Sequence, residues 1–280
     1  INLGYNQIGE AGAVALADAL QYNKSITSVD LIYNQIGDKG AFALADAFKE
    51  NKSIASVHLC SNAIGDAGAA VLAEAIKFNK FITSLDLSYN QIGNAGAFAL
   101  AEALNKHKSI ISVDLRNNQI GEAGAIALAN ALETNTSITS LNLEHNIISD
   151  ETTMRIVKLI SKNEKIFSDT SKMLQKLVKM EKEEMLAELK KYASDDNAAL
   201  LREFYNRPDA FKKSLKGEEA YSNKSLKEIH NFVLVNCLPI HAVAKDIAQE
   251  ESALKVFPST IMSHMATFLK PGDIDLNSAD

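Results

Sequence analysis

The chain has only two cysteines in 280 residues, Cys60 and Cys237. That is too few for a disulfide framework and fits a reducing compartment. No apolar run reaches the ~18 residues that a membrane-spanning helix needs. A surplus of positive charge is also missing. The formal net charge is −6, with −4 in residues 1–167, +1 in 168–228 and −3 in 229–280. No segment is basic enough to hold nucleic acid through its phosphates. There is no Gly-x-x-x-x-Gly-Lys phosphate loop, no His-Glu-x-x-His zinc helix and no Gly-x-Ser-x-Gly elbow. His58 and Cys60 lie on one strand face, but no further Cys or His joins them at metal-ligand spacing. The expectation is no enzyme, no cofactor and no metal. The chain also lacks an initial Met and opens at Ile1 inside a Leu-x-Leu strand. It reads as a fragment, so the missing signal peptide decides nothing. A cytoplasmic location is expected, or a host cell if the protein is an effector.

What the chain does have is a repeat. Asn6, Asn34, Asn62, Asn90, Asn118 and Asn146 recur every 28 residues, as do Leu3, Leu31, Leu59, Leu87, Leu115 and Leu143. A fixed period of this size, headed by Leu-x-x-Leu-x-Leu-x-x-Asn, marks a solenoid. At about 150 residues per domain the length suggests two units, read as the repeats over 1–165 and a helical region over 166–280.

Within one copy, Ile26-x-x-Val29-x-Leu31-x-x-Asn34 alternates as a short strand does. Val29 and Leu31 turn inward, Ser28 and Asp30 outward, and stacked copies form a parallel sheet. Each Asn can both donate to and accept from loop backbone, so the asparagines read as scaffold. Paired glycines follow, from Gly9 and Gly12 to Gly121 and Gly124. The acids behind the first glycine (Glu10, Asp38, Asp66, Glu122) suit the start of their own helix. The helix is Ala-rich, as in Ala13, Leu16, Ala17, Ala19 and Leu20, so that neighbouring helices can approach closely. Helices end near Asn23, Asn51, Asn79 and Asn135, a residue that tolerates a left-handed cap. Asn23, Asn51 and Asn135 also spell glycosylation acceptors, as does Asn223. The recurrence of the first three at one repeat position favours a structural role.

These residues resemble leucine-rich repeats of the ribonuclease-inhibitor type, whose 28-residue units also occur in NOD-like receptors. The resemblance covers residues 1 to about 165. It implies an α/β horseshoe with parallel strands on the concave face and helices on the convex one. The last copy departs: Ser149 and Thr152 replace the glycines, and Ile156, Val157, Leu159 and Ile160 replace the small helix residues, as befits a terminal repeat.

Outward strand positions form three columns. One reads Asn2, Asp30, His58, Asp86, Asp114, Asn142. The next reads Gly4, Ile32, Cys60, Ser88, Arg116, Glu144. The third reads Tyr5, Tyr33, Ser61, Tyr89, Asn117, His145. These vary while the framework does not, as expected of a binding surface on a fixed scaffold. Asp30, His58, Asp86, Asp114, Tyr33, Tyr89, Arg116 and Glu144 are the candidate contacts for a protein partner with basic and flat apolar patches.

Beyond Phe167 the period is lost. Residues 169–193 read as an amphipathic helix, and shorter helices are expected over Asp196–Asn206, Pro208–Leu215, Ser225–Asn236 and Ile240–Gln249. Cys237 follows the apolar run Phe232–Val235 and reads as buried. Phe257, Pro258, Ile261, Met265 and Leu269, with Asp273 and Ile274, are similar to the opening of an F-box. Thr260 stands where that family prefers Glu. The segment reads either as a packing helix or as a contact for a ubiquitin-ligase adaptor.

The expectation from the whole chain is a non-enzymatic protein-binding scaffold, of a bacterial-effector or an innate-immune-sensor kind. Its rivals are a leucine-rich-repeat ubiquitin ligase and a GTPase activator. The ligase needs a reactive thiolate in a polar setting, which the surroundings of Cys237 do not provide.

Overall fold

The computed structural model describes residues 1–177. The helices Gly9–Tyr22 (α1), Gly37–Glu50 (α2), Asp66–Phe78 (α3), Asn94–Lys106 (α4), Glu122–Thr134 (α5) and Asp150–Leu177 (α6) alternate with five strands. The strands are Ser28–Asp30 (β1), Ser56–His58 (β2), Ser84–Asp86 (β3), Ser112–Asp114 (β4) and Ser140–Asn142 (β5). They pair in chain order, all parallel, with equivalent repeat positions in register. The backbone ladder continues past each strand, for example Leu31 N to the His58 carbonyl and Tyr33 N to the Cys60 carbonyl. This is the expected α/β solenoid, lying within the compact unit Ile1–Asp169. Among the described residues no helix is long and apolar enough to cross a membrane.

The middle strand residues Val29, Val57, Leu85 and Val113 and the helix residues Leu44, Leu72, Leu100 and Leu128 share one core. Helices therefore cover one face of the sheet, and the other face is open. Packing between helices depends on small residues. A Cβ built on Gly96 would meet the Cβ of Ala69 at 3.0 Å and the Asp66 Oδ1 at 2.9 Å, so only glycine fits there.

Two side-chain ladders run along the stack. In the first, Asn90 Nδ2 donates to the carbonyls of Leu59, Leu87 and Ser88, and its Oδ1 accepts from the amides of Asn62 and Ile64. The equivalent asparagines repeat this, linking each copy to the one before. In the second, Asn51 Nδ2 donates to the Leu20 and Asn23 carbonyls while its Oδ1 takes the Ser53 and Ile54 amides. Asn79, Asn135 and Asn163 continue this line, with Nδ2 in each case reaching back to the preceding copy. Asn51, Asn79 and Asn135 are buried, which is incompatible with attachment of a glycan. Their backbone is extended, with φ between −72° and −92°, so the left-handed cap expected from sequence does not occur. The asparagines are needed for both ends of the side-chain amide.

His107 stands in the second ladder in place of an asparagine. Its Nδ1 accepts from the Ser109 and Ile110 amides at 3.1 and 3.0 Å. The proton must therefore sit on Nε2, which donates to the Asn79 carbonyl. The ring copies the two ends of an amide. Burial pushes its pKa below the ordinary 6.5; the Asn79 carbonyl acts the other way and Lys108 adds to the lowering. The unfolded chain then takes up this proton at a higher pH than the folded one. The stability contributed by the neutral ring is present above about pH 6.5 and is lost as the pH falls through the folded value. Urea midpoints from pH 8 to pH 5 should fall further in the wild type than in His107→Asn. Parallel curves would show that the ring does not carry this dependence.

The acids after the first glycine do something other than expected. Asp38 Oδ1 accepts from the amides of Gly65 and Gly68, Asp66 from Gly93 and Gly96, and Asn94 from Gly121 and Gly124. Each side chain caps the helix of the following copy, not its own. Glu122 extends the relay to the divergent last copy, where it accepts from the Ser149 amide and from the hydroxyls of Ser149 and Thr152. Those bonds, that of Thr152 first, hold its carboxyl below the usual range. Ser149 and Thr152 are thus fitted to Glu122. Glu10 pairs instead with Lys39 at 3.3 Å.

Of the helix expected over 169–193, residues 169–177 form the end of α6, and 178–193 lie outside the described residues. The expected helices over Asp196–Asn206, Pro208–Leu215, Ser225–Asn236 and Ile240–Gln249, together with Cys237 and the F-box-like segment with Phe257, Pro258, Ile261, Met265 and Leu269, lie outside the described residues.

Candidate functional site

The open sheet face is built from the three outward columns. Strand register places Asp30, His58, Asp86, Asp114 and Asn142 side by side, and Asn2 pairs with Asp30 at the first copy. All five strand residues are half-buried. Part of this column is structural. Asp30, Asp86 and Asp114 each use Oδ1 to accept the amide two residues on, as Asn2 and Asn142 also do. A short acceptor at this point holds the turn after the strand, which explains the Asn/Asp composition without a partner. What remains for a partner is the outer oxygen. Asp114 gives its own to Arg116 Nε at 3.3 Å. Among the described residues no partner meets the outer oxygens of Asp30 and Asp86. Burial pushes the Asp114 carboxyl above its usual value, opposed by the Arg116 amide and aided by Asp86 and Glu144. His58 turns its Nε2 to Ser56 Oγ at 2.8 Å.

In the second column Arg116 is half-buried and Glu144 exposed. Ser88 is fully buried, with its hydroxyl donating to Asp86 Oδ1 at 2.6 Å. It does not belong to the accessible surface on which its sequence position put it.

The third column holds the feature that sequence reading missed. Tyr5, Tyr33, Ser61, Tyr89, Asn117 and His145 all lie in the left-handed region, with φ from 52° to 61°. Asn suits that region, whereas a bulky residue there costs roughly 1–2 kcal/mol. Three tyrosines nevertheless occupy it, 78%, 60% and 52% exposed. Tyr5 and Tyr33 stack with centroids 5.6 Å apart and planes 13° off parallel. The Arg116 guanidinium lies 6.0 Å over the Tyr89 ring.

The helical face offers one competing pattern. Val14, Phe42, Phe98, Ile126 and Met154 are exposed and fall at one repeat position, with Ala70 completing the row. Asp18, Asp46, Glu74 and Glu102 lie one turn further along the same helices. The signal was available in the sequence, as apolar residues out of phase with the buried stripe. Among the described residues no group of three or more His, Cys, Asp and Glu gathers as metal ligands would.

Comparison with known proteins agrees with the geometry. The family model described as Leucine Rich repeat matches residues 1–17, 22–45, 50–73, 78–101, 106–129 and 134–151. The sequence matches no curated protein. Among solved structures the chain is similar to Leiomodin-1 actin-binding site 2, with a TM-score of 0.52 and 23% identity over 59% of this chain and 93% of that one. It is also similar to the tropomodulin C-terminal domain of Caenorhabditis elegans, with a TM-score of 0.47 and 18% identity over 55% and 93%. At such identity the first likeness speaks for the fold alone. The six matched segments coincide with the six copies stacked in the solenoid, and residues 1–151 of the chain belong to the leucine-rich repeat family.

Proposed function

We propose that this protein is a non-enzymatic scaffold that holds a protein partner on its concave sheet face, through Asp30, His58, Asp86, Asp114, Tyr33, Tyr89, Arg116 and Glu144. The observation that carries this reading is the tyrosine column. A ring held at positive φ carries a strain that folding alone does not ask for, and Asn117 shows that a better-suited residue serves the same turn. Exposed tyrosines give a partner rigid, amphipathic contact area. The carboxylates of Asp30 and Asp86 on the same sheet face favour a basic surface. The leiomodin unit, whose description names actin, shows the same fold in a protein-binding setting; the partner here is read from charge and aromatic content. An effector or an immune-type sensor, within a cell, would both use such a module.

The apolar row on the helices supports a second reading, in which the convex face docks a partner. Scattered exposed apolar residues are ordinary, but these share one repeat position. Photo-crosslinking separates the faces. Benzoylphenylalanine in place of Tyr33 or Tyr89 in the full chain should give a discrete adduct in extract of the cells of origin. The same group at Phe42 or Phe98 should give none. Adducts from Phe42 and Phe98 alone would move the site to the helices.

A further inference from the structure

The tyrosine column is interrupted at Ser61, and the interruption has the dimensions of a site. Tyr33, Ser61 and Tyr89 occupy consecutive copies with nearly identical backbone, φ 61°, 55° and 54°. Their Cβ atoms therefore leave the chain in the same direction. Neighbouring copies bring rings to 5.6 Å where both are tyrosine, at Tyr5 and Tyr33. Across Ser61 the two flanking tyrosines are two strand spacings apart, about 10 Å. A planar group placed midway lies about 5 Å from each ring, inside the roughly 4.5–7 Å range of stacked planar groups. The residue between them is small, and its hydroxyl rests on Cys60 Sγ at 3.4 Å, so the side chain of the middle copy leaves this space to a visitor.

We infer that the gap between Tyr33 and Tyr89 over Ser61 is a slot for the guanidinium of an arginine carried in a basic segment of the partner. Charge selects this occupant over a neutral ring. Asp30 and Asp86 flank the same copy in register with His58, and among the described residues no partner meets their outer oxygens. They lie about 10 Å along the strands from the rings, close enough for basic residues adjoining the inserted arginine. The Tyr89 ring already accepts a guanidinium, that of Arg116 at 6.0 Å. A guanidinium is planar and weakly hydrated and can stack on both walls at once, whereas an ammonium is a compact, strongly hydrated charge. The slot thus distinguishes arginine from lysine, which acidity alone does not.

This inference rests on the concave reading, and the test separates the two. Fluorescein-labelled hexa-arginine and hexa-lysine peptides, both amidated at the C-terminus, are titrated with the full chain at low salt, and anisotropy is read. The arginine peptide should bind about 5- to 10-fold more tightly, the gain expected from stacking on two rings. Ser61→Tyr fills the slot with a residue that the same backbone already carries in Tyr5, Tyr33 and Tyr89. It should leave circular dichroism unchanged and reduce the preference to about 2-fold or less. Tyr33→Ala removes one wall and should reduce it by a similar amount. Equal binding of the two peptides, or an arginine preference that survives Ser61→Tyr, would discard the slot and leave the acidic face standing. Binding of neither peptide would discard both.

Discussion

Replacing Asn90 with alanine is expected to lower the stability of the solenoid by about 3 kcal/mol or more, since three buried backbone groups are left unpaired at about 1–3 kcal/mol each. Asn90 is 7% exposed and serves five backbone groups. Not all of them are lost with it. The Leu87 carbonyl keeps the Asn118 side chain at 3.0 Å. The Asn62 and Ile64 amides and the Leu59 carbonyl lose their side-chain partner in places that water does not reach. Each copy rests on its neighbours alone, so this loss weakens the junction between the third and fourth copies. Asn6→Ala provides the contrast. Asn6 is exposed and bonds only within its own copy, to the Leu3 and Gly4 carbonyls, so its removal should cost less than about 1 kcal/mol. Urea denaturation of the two variants checks this. An Asn90→Ala chain as stable as Asn6→Ala would show that water replaces the ladder.

The features legible in the sequence were those in which one residue type meets the same need in every copy. The asparagine after each strand, the buried Val or Leu in its middle and the small helix residues all recur for that reason. What could not be read was where each group sends its bonds. A carboxylate beside a helix start reads as the cap of that helix, yet Asp66 serves the amides of Gly93 and Gly96, 27 and 30 residues on. His107 breaks the asparagine period while keeping its function, because two ring nitrogens stand in for an amide. The concave columns were legible as outward positions, but their two roles were not. In the pattern the Asp residues read as partner contacts, yet each uses one oxygen on its own turn. The strain at Tyr33 and Tyr89 cannot be seen in a pattern, since local preference argues against tyrosine in that conformation.

That division of labour at the aspartates allows the concave face to be discharged without disturbing the fold. Asn2 and Asn142 hold the same turn as Asp30 and Asp86, so Asp30→Asn with Asp86→Asn keeps the structural bond and removes only charge. The measurement is the affinity of the protein cross-linked from Tyr33 for the full chain, for this double variant and for Phe42→Ser with Phe98→Ser. Loss of two open carboxylates should weaken binding about 10-fold at low ionic strength, and less as salt screens the pair. The Phe42 and Phe98 variant should bind as the wild type does. An affinity that ignores the aspartates and collapses with the phenylalanines would place the interface on the helices and contradict the concave site.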